Sequence, residues 1–420
     1  MEILDLNGIE TLVINTKKFK TITFLITFYG DFSKDNATKR SLLTRILSNS
    51  TRNYPTRELL TNHLFDLYDF NFSINSSSIH EANITNFVFE VIHPNYISEP
   101  SYINKVFDFI REIIFSPNAK GNAFNEAVFN EEKKILSSQI ENIYNNKPQY
   151  ALKRLIKIMC EDEVASISNI GTLEDLELIT KENLYEFYLE MIKNEMVKIE
   201  VIGDFEKLNL NEHLSSLGFT NNNRTLKYIN SQSNPVSRIK EVLEKQKINQ
   251  AQLMIGYRTN ISFLDELYIP ALVFKMMLGG MASSDLFRIV REENSLAYSV
   301  NALLYTADKI LIINAGIDQT NFELTKKLII ELIDSYKNGK IRKSLLKSAK
   351  DNLVSSIHES FDDTVSTLMF YQKNRLLKRY SISDFIQRIK NVTIEEIIQV
   401  SQRLELDTIY MLAGENDEKI

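Results

Sequence analysis

The segment Leu278-Gly279-Gly280-Met281-Ala282-Ser283-Ser284-Asp285-Leu286-Phe287-Arg288-Ile289-Val290-Arg291-Glu292-Glu293-Asn294-Ser295-Leu296-Ala297-Tyr298-Ser299-Val300 reads as a turn, a helix and a strand in immediate succession. Gly279 and Gly280 permit a tight turn ahead of the helix, or else a close approach of peptide backbone. The small pair Ser283-Ser284 leads into a helix carrying Leu286 and Phe287, Arg291-Glu292 closes it, and Leu296 to Val300 continues as a strand. Taken by its residues alone, Arg291 is a solvated charge at a helix end and Tyr298 a strand residue packed on its neighbours.

Outward from this segment the same grammar recurs. Upstream, Leu253 to Tyr257 is a short apolar strand, and Leu328 to Tyr336 has helical periodicity. Each has a counterpart in the first half: a β-branched, aromatic strand at Thr21 to Gly30 and a periodic helix at Ile103 to Phe115. Between these, Asn36 to Ser50 spaces Leu42, Leu43, Ile46 and Leu47 as one buried helical face, with Asp35 or Asn36 available as cap. Glu58 to Leu67 and Phe124 to Tyr144 read as helices, and Phe70 to Ile79 and Asn86 to His93 as strands. The first half closes on a capped helix, Ile179 to Tyr188, and a strand, Val197 to Asp204; the second closes on Val392 to Ile398 and Thr408 to Glu415 in the same order. A repeat of domain length implies duplication of a whole domain rather than a solenoid.

The polar turn-formers Thr220 to Arg224 and Ser231 to Pro235 separate the copies. The expected organisation is therefore a first domain over 1–220, a connection over 221–235 and a second domain over 236–420. Strands come in neighbouring groups joined by short turns, which favours an α+β class over a doubly wound parallel sheet.

A chain of 420 residues with 44% hydrophobic and 25% charged residues can bury two cores. Its formal net charge is -6 and its basic residues are interspersed with acidic ones, so no nucleic-acid partner is expected. The first residues lack a basic, apolar leader and no run of about eighteen apolar residues occurs, so no membrane association and a cytoplasmic location are expected. Cys160 is the single cysteine. It excludes an internal disulfide and a multi-cysteine metal site, and reads as buried and inert.

The ordered match of Leu278 to Val300, together with the duplicated layout, resembles the pitrilysin/insulinase family of zinc peptidases over essentially the whole chain. That resemblance implies two homologous α/β-sandwich domains, a duplicated mitochondrial-processing-peptidase-like metallohydrolase fold, closing as a clamshell. Active members carry H-x-x-E-H on the first helix of the first domain, two histidines binding zinc and the glutamate acting as general base, with a third ligand, a glutamate, on a later helix. Aligned by the preceding strand and the Asn49-Ser50-Thr51 turn, the motif falls on Ser41-Leu42-Leu43-Thr44-Arg45. The charged run Glu131-Glu132-Lys133-Lys134 resembles the one before the third ligand, whose place then falls at or close to Gln139. Ser41, Thr44, Arg45 and Gln139 are thus degenerate positions, and neither a bound metal nor another cofactor is expected.

No other residues supply the site. His63, His80, His93, His213 and His358 include no pair three or four apart, and His80-Glu81 and His358-Glu359 meet Ile84 and Asp362 where a second histidine would be needed. Arg40 and Arg45 read as locally salt-bridged. In active members the second-domain arginine and tyrosine face the zinc and hold substrate and the developing oxyanion; here they are Arg291 and Tyr298.

The resemblance implies a chain with no catalytic residues of its own that pairs, as a heterodimer, with an H-x-x-E-H-containing homologous subunit and contributes Arg291 and Tyr298 in trans to peptide cleavage. It extends to a bacterial branch of paired cytosolic homologues associated by name with modification of elongation factor P. The competing class is a catalytically inert peptide-binding or scaffold protein, and the isolated chain is free to self-associate as a homo-oligomer.

Overall fold

The computed structural model describes residues 1–206, 208–219, 235–377 and 381–415, positions 376–377 by backbone alone. All but Pro235 of the connection expected over 221–235 lies outside the described residues. The strands are β1 (Glu2–Leu6), β2 (Ile9–Asn15), β3 (Thr21–Asp31), β4 (Asn71–Ile79), β5 (Ala82–Ile92), β6 (Ala119–Lys120), β7 (Ala123–Phe124), β8 (Met196–Gly203), β9 (Lys240–Gln246), β10 (Ala251–Arg258), β11 (Ala297–Tyr305), β12 (Ile310–Ile317) and β13 (Glu405–Gly414). The helices are α1 (Lys34–Asn49), α2 (Arg57–Asp66), α3 (Tyr102–Phe115), α4 (Glu126–Asn145), α5 (Lys147–Met159), α6 (Leu173–Glu177), α7 (Lys181–Asn194), α8 (Leu210–Ser216), α9 (Tyr268–Lys275), α10 (Phe322–Lys337), α11 (Lys343–Ser360), α12 (Thr364–Leu377), α13 (Ile382–Lys390) and α14 (Ile394–Gln402).

Two sheets carry the fold. The first has the order β1-β2-β8-β3-β5-β4 and the second β11-β12-β10-β13-β9. Setting β1 aside and reading the second from its other end, the orders coincide: β2-β8-β3-β5-β4 against β9-β13-β10-β12-β11. The strand senses coincide as well. β2 and β8 are parallel, as are β9 and β13, and the other pairs are antiparallel in both sheets. The chain is a duplicated α+β fold.

The compact units do not follow a single cut in the sequence. One comprises Met1–Glu141, Ile167–Ile229 and Asp362–Lys373; the other comprises Asn142–Ser166, Asn230–Phe361 and Asn374–Ile420. The exchange is physically legible in the two central strands. Every residue of β3 from Ile22 to Gly30 is buried, which a sheet solvated on one face would not require. Phe24, Ile26 and Phe28 alternate into the large core built with α3 and α7. On the opposite face Leu25 packs with Val88, Ile202 and Leu368 of α12. Thr23 there meets Thr364 at 2.8 Å, and the Gln372 amide donates to Thr27 at 2.6 Å and to Asn86 at 2.8 Å. Thr27 also donates to Asn86 at 3.0 Å within the sheet, and α12 supplies the remaining partners of these buried polar groups.

β10, buried along its whole length, repeats the arrangement with α5. Ala151, Leu155 and Met159 form a one-sided stripe against Met254, Ile310, Ile312, Tyr410 and Leu412. A Cβ on Gly256 would lie 2.7 Å from Met159 Sδ and would push that side chain aside, so the helix packs closely over the glycine. Both ends of α5 are tied to the sheet: Glu244 accepts from Tyr150 (2.5 Å), Arg154 (3.0 Å) and Tyr410 (3.0 Å), while Arg258 donates to Asp407 (2.8 Å), Glu163 (2.9 Å) and the Met159 carbonyl (2.7 Å). Cys160 is buried at the end of α5, and burial pushes its thiol up to about 12.

Candidate functional site

α1 starts at Lys34, earlier than the caps expected at Asp35 or Asn36. Ser33 is the extended cap residue, and its N–H donates to Asn36 Oδ1 at 3.0 Å, closing a capping box. The helix buries Leu42, Leu43, Ile46 and Leu47, as their spacing requires, and Arg45 reaches α4. Arg40 goes the other way. It is buried against Glu195, with Nη1 to Oε2 at 3.2 Å, and stacks on Phe187. The local Arg40 pairing expected from sequence is thus replaced by a partner 155 positions away.

Arg45 and Gln139 come together: the Arg45 guanidinium donates to Gln139 Oε1 and, at 3.5 Å, to Glu132 Oε2. Glu132 is 1% exposed. It also accepts from Arg57 Nη2 and Asn49 Nδ2, each at 2.9 Å. Thr44 turns its hydroxyl onto the Ser41 carbonyl of its own helix at 3.0 Å. These residues do not fit zinc. A guanidinium has donors and no lone pair, so Arg45 cannot offer a metal the electron pair that a ligand must present. Glu132 Oε2 and Gln139 Oε1 are turned to that guanidinium, and α1 and α4 are cross-linked by an organic cation.

Among the described residues no group of three or more His, Cys, Asp or Glu is gathered to hold a metal ion. The histidines have local roles instead. His63 stacks on Tyr54 and meets the Phe109 edge, with burial lowering its pKa. His213 stacks on Phe107, and His93 bonds the Asp204 carbonyl at 2.9 Å.

The second unit presents the signature segment differently. Gly279 has extended backbone; a Cβ there would lie 2.7 Å from the Ala302 nitrogen, so the glycine serves close packing on β11 rather than only a turn. Asp285 anchors the following helical segment. It is buried and accepts from Tyr336 (2.7 Å), from Arg342 (2.7 and 3.1 Å) and from Arg288 (3.0 and 3.3 Å). Burial and this carboxylate together raise the Tyr336 pKa. From that anchored segment Arg291 emerges exposed, its guanidinium 4.7 Å over the Phe287 ring. Among the described residues no carboxylate pairs with it. Tyr298 is 71% exposed at a bulge of edge strand β11, where the register shifts between Ala297 and Ser299. A bulge re-aims a side chain. Tyr298 therefore does not pack as an ordinary strand residue, and its hydroxyl is open to solvent. Both groups are hydrogen-bond donors held on ordered backbone and left uncommitted.

Comparison with known proteins identifies the family. Residues 178–353 match the family model described as Peptidase M16 inactive domain. The protein named "Probable inactive metalloprotease YmfF" from Bacillus subtilis (strain 168) is 30% identical over 410 residues, covering 97% of this chain and 96% of that one. The "Uncharacterized zinc protease YmxG" of the same organism is 22% identical over 308 residues, 72% of this chain and 73% of its own length. A conserved protein from Enterococcus faecalis V583 superposes with a TM-score of 0.91 at 29% identity, covering 99% of this chain and 98% of that one. Among the described residues no helix is long and apolar enough to cross a membrane.

Proposed function

The chain belongs to the M16 peptidase family as a non-catalytic member, and on that premise we propose that it is the partner subunit of a zinc-bearing homologue, to which it supplies Arg291 and Tyr298 as substrate- and transition-state-binding donors. The observation that carries this reading is the contrast within one chain. Arg45, which the resemblance aligns with the second zinc-binding histidine, is a committed cation, while Arg291 and Tyr298 keep their donors uncommitted. A guanidinium and a phenol suit a peptide carbonyl whose oxygen gains charge as it is attacked, because donors already in place need not reorganise. β4 and β11 are edge strands, surfaces on which an extended peptide can add. The test is reconstitution: a homologue bearing H-x-x-E-H is assayed on a mixed-sequence peptide alone, with this chain, and with its Arg291→Ala variant. Higher turnover for the wild-type pair than for the homologue alone supports the reading. Equal turnover would leave the inert peptide-binding scaffold as the better account.

A further inference from the structure

An open hollow of about 410 Å³ lies in the second unit between α11, α13 and α14. Its wall is basic: α11 contributes Lys343, Lys347 and Lys350, α13 ends there on Lys390, and Leu346 and Ile394 complete the lining as apolar groups. Asp351 is the single carboxylate on the lining among the described residues. Four ammonium groups around one concavity stand against the rest of a chain whose formal charge is -6. Lys350 Nζ donates to the Lys390 carbonyl at 3.0 Å, which fixes one lysine in the wall. Lys343 and Leu346 belong to the first turn of α11, whose start no side chain caps, so its dipole adds positive potential there, whereas the start of α14 at Ile394 is closed by a capping box and carries Glu395 and Glu396.

We propose that this hollow binds a linear phosphoryl anion, a diphosphate or triphosphate group. The lysines select charge and length together. Positions 343, 347 and 350 share one helical face, and their backbone rises about 10 Å from first to last, which is longer than a single tetrahedral anion and matches a short chain of them. Lysine is a point-charge phosphate binder without the planar fork that favours carboxylates. Burial lowers the Lys350 pKa, opposed by Glu396 and Asp351, and an anion beside it would favour the charged form.

The test is titration calorimetry on the full chain with tripolyphosphate, orthophosphate, ATP and tetraglutamate, at about 50 and about 300 mM salt. Tripolyphosphate is expected to bind at least about tenfold more tightly than orthophosphate and to weaken as salt rises. Lys343→Glu/Lys347→Glu, and the milder Lys343→Gln/Lys347→Gln, are expected to lose about tenfold or more, whereas Lys120→Glu on the other unit stays within about twofold. ATP binding as tightly as tripolyphosphate assigns the site to nucleotide phosphates, and tripolyphosphate alone assigns it to condensed phosphate. No binding of tripolyphosphate at the lower salt, equal loss in Lys120→Glu, or tighter binding of tetraglutamate would overturn the proposal.

Discussion

Arg45→Ala tests whether the Arg45 guanidinium cross-links α1 and α4. Removing one partner of a fully buried ion pair costs about 3–5 kcal/mol, because the other charge is left without compensation. Arg45 is short of that limit on two counts. Its side chain keeps 23% of its exposure and its bond to Glu132 is long, at 3.5 Å. Glu132 also retains Arg57 and Asn49 at 2.9 Å after the change. A loss of about 1–2 kcal/mol is expected. For a unit of this size that lowers the unfolding midpoint by about 2–4 °C per kcal/mol. Arg40→Ala is the internal standard: with side-chain exposures of 2% and 9%, Arg40 and Glu195 are a buried pair, and the full range of about 3–5 kcal/mol applies. The assay is denaturant unfolding of both variants beside wild type, following the first unit. Equal losses for the two, or no loss for Arg45→Ala, would refute the view that Arg45 is a partly redundant cross-link between α1 and α4.

Three further outcomes are expected. Purified, tag-free protein should contain far less than one zinc per chain by metal analysis, since Ser41, Arg45 and Gln139 offer no ligand set; full occupancy would contradict the site geometry. A fragment of residues 236–420 lacks α5 and exposes Met254, Tyr410 and Leu412 of its sheet, so it should unfold without a cooperative transition, whereas 142–420 should regain one; a cooperative shorter fragment would count against the exchange. The lowered His63 pKa means that the folded state prefers the neutral ring. Its contribution to stability is therefore complete above the unfolded value near 6.5 and falls as pH drops through the folded value. His63→Phe should flatten the denaturation midpoint across that window, and an unchanged slope would show that the stacking on Tyr54 does not couple to protonation.

Local signals carried far in this chain. The β3 and β10 strands, the α3 and α10 helices and the closing helix and strand of each half are all visible as periodicity, and their common order made duplication legible. What sequence could not supply was contact across large separations. Thr23 and Thr27 look like the polar face of a half-solvated strand, yet α12 covers them from more than three hundred positions away. The periodicity of α5 says that it has an apolar stripe but not which sheet receives it. Arg40 shows the same limit, since nothing near it in sequence names Glu195. At the candidate site, the Arg45 bond to Gln139 depends on how α1 and α4 pack. The basic hollow was missed because Lys390 joins the α11 lysines only through tertiary packing.

Turnover of a mixed-sequence peptide by an H-x-x-E-H homologue is the most direct measurement, made for the homologue alone, with wild-type chain and with the Arg291→Ala chain. The expected result is higher turnover for the wild-type complex and a drop of about ten- to a thousand-fold for Arg291→Ala, the range for removing one transition-state donor, with association unchanged. A homologue that cleaves equally well alone would contradict a role in trans, whatever the variant does.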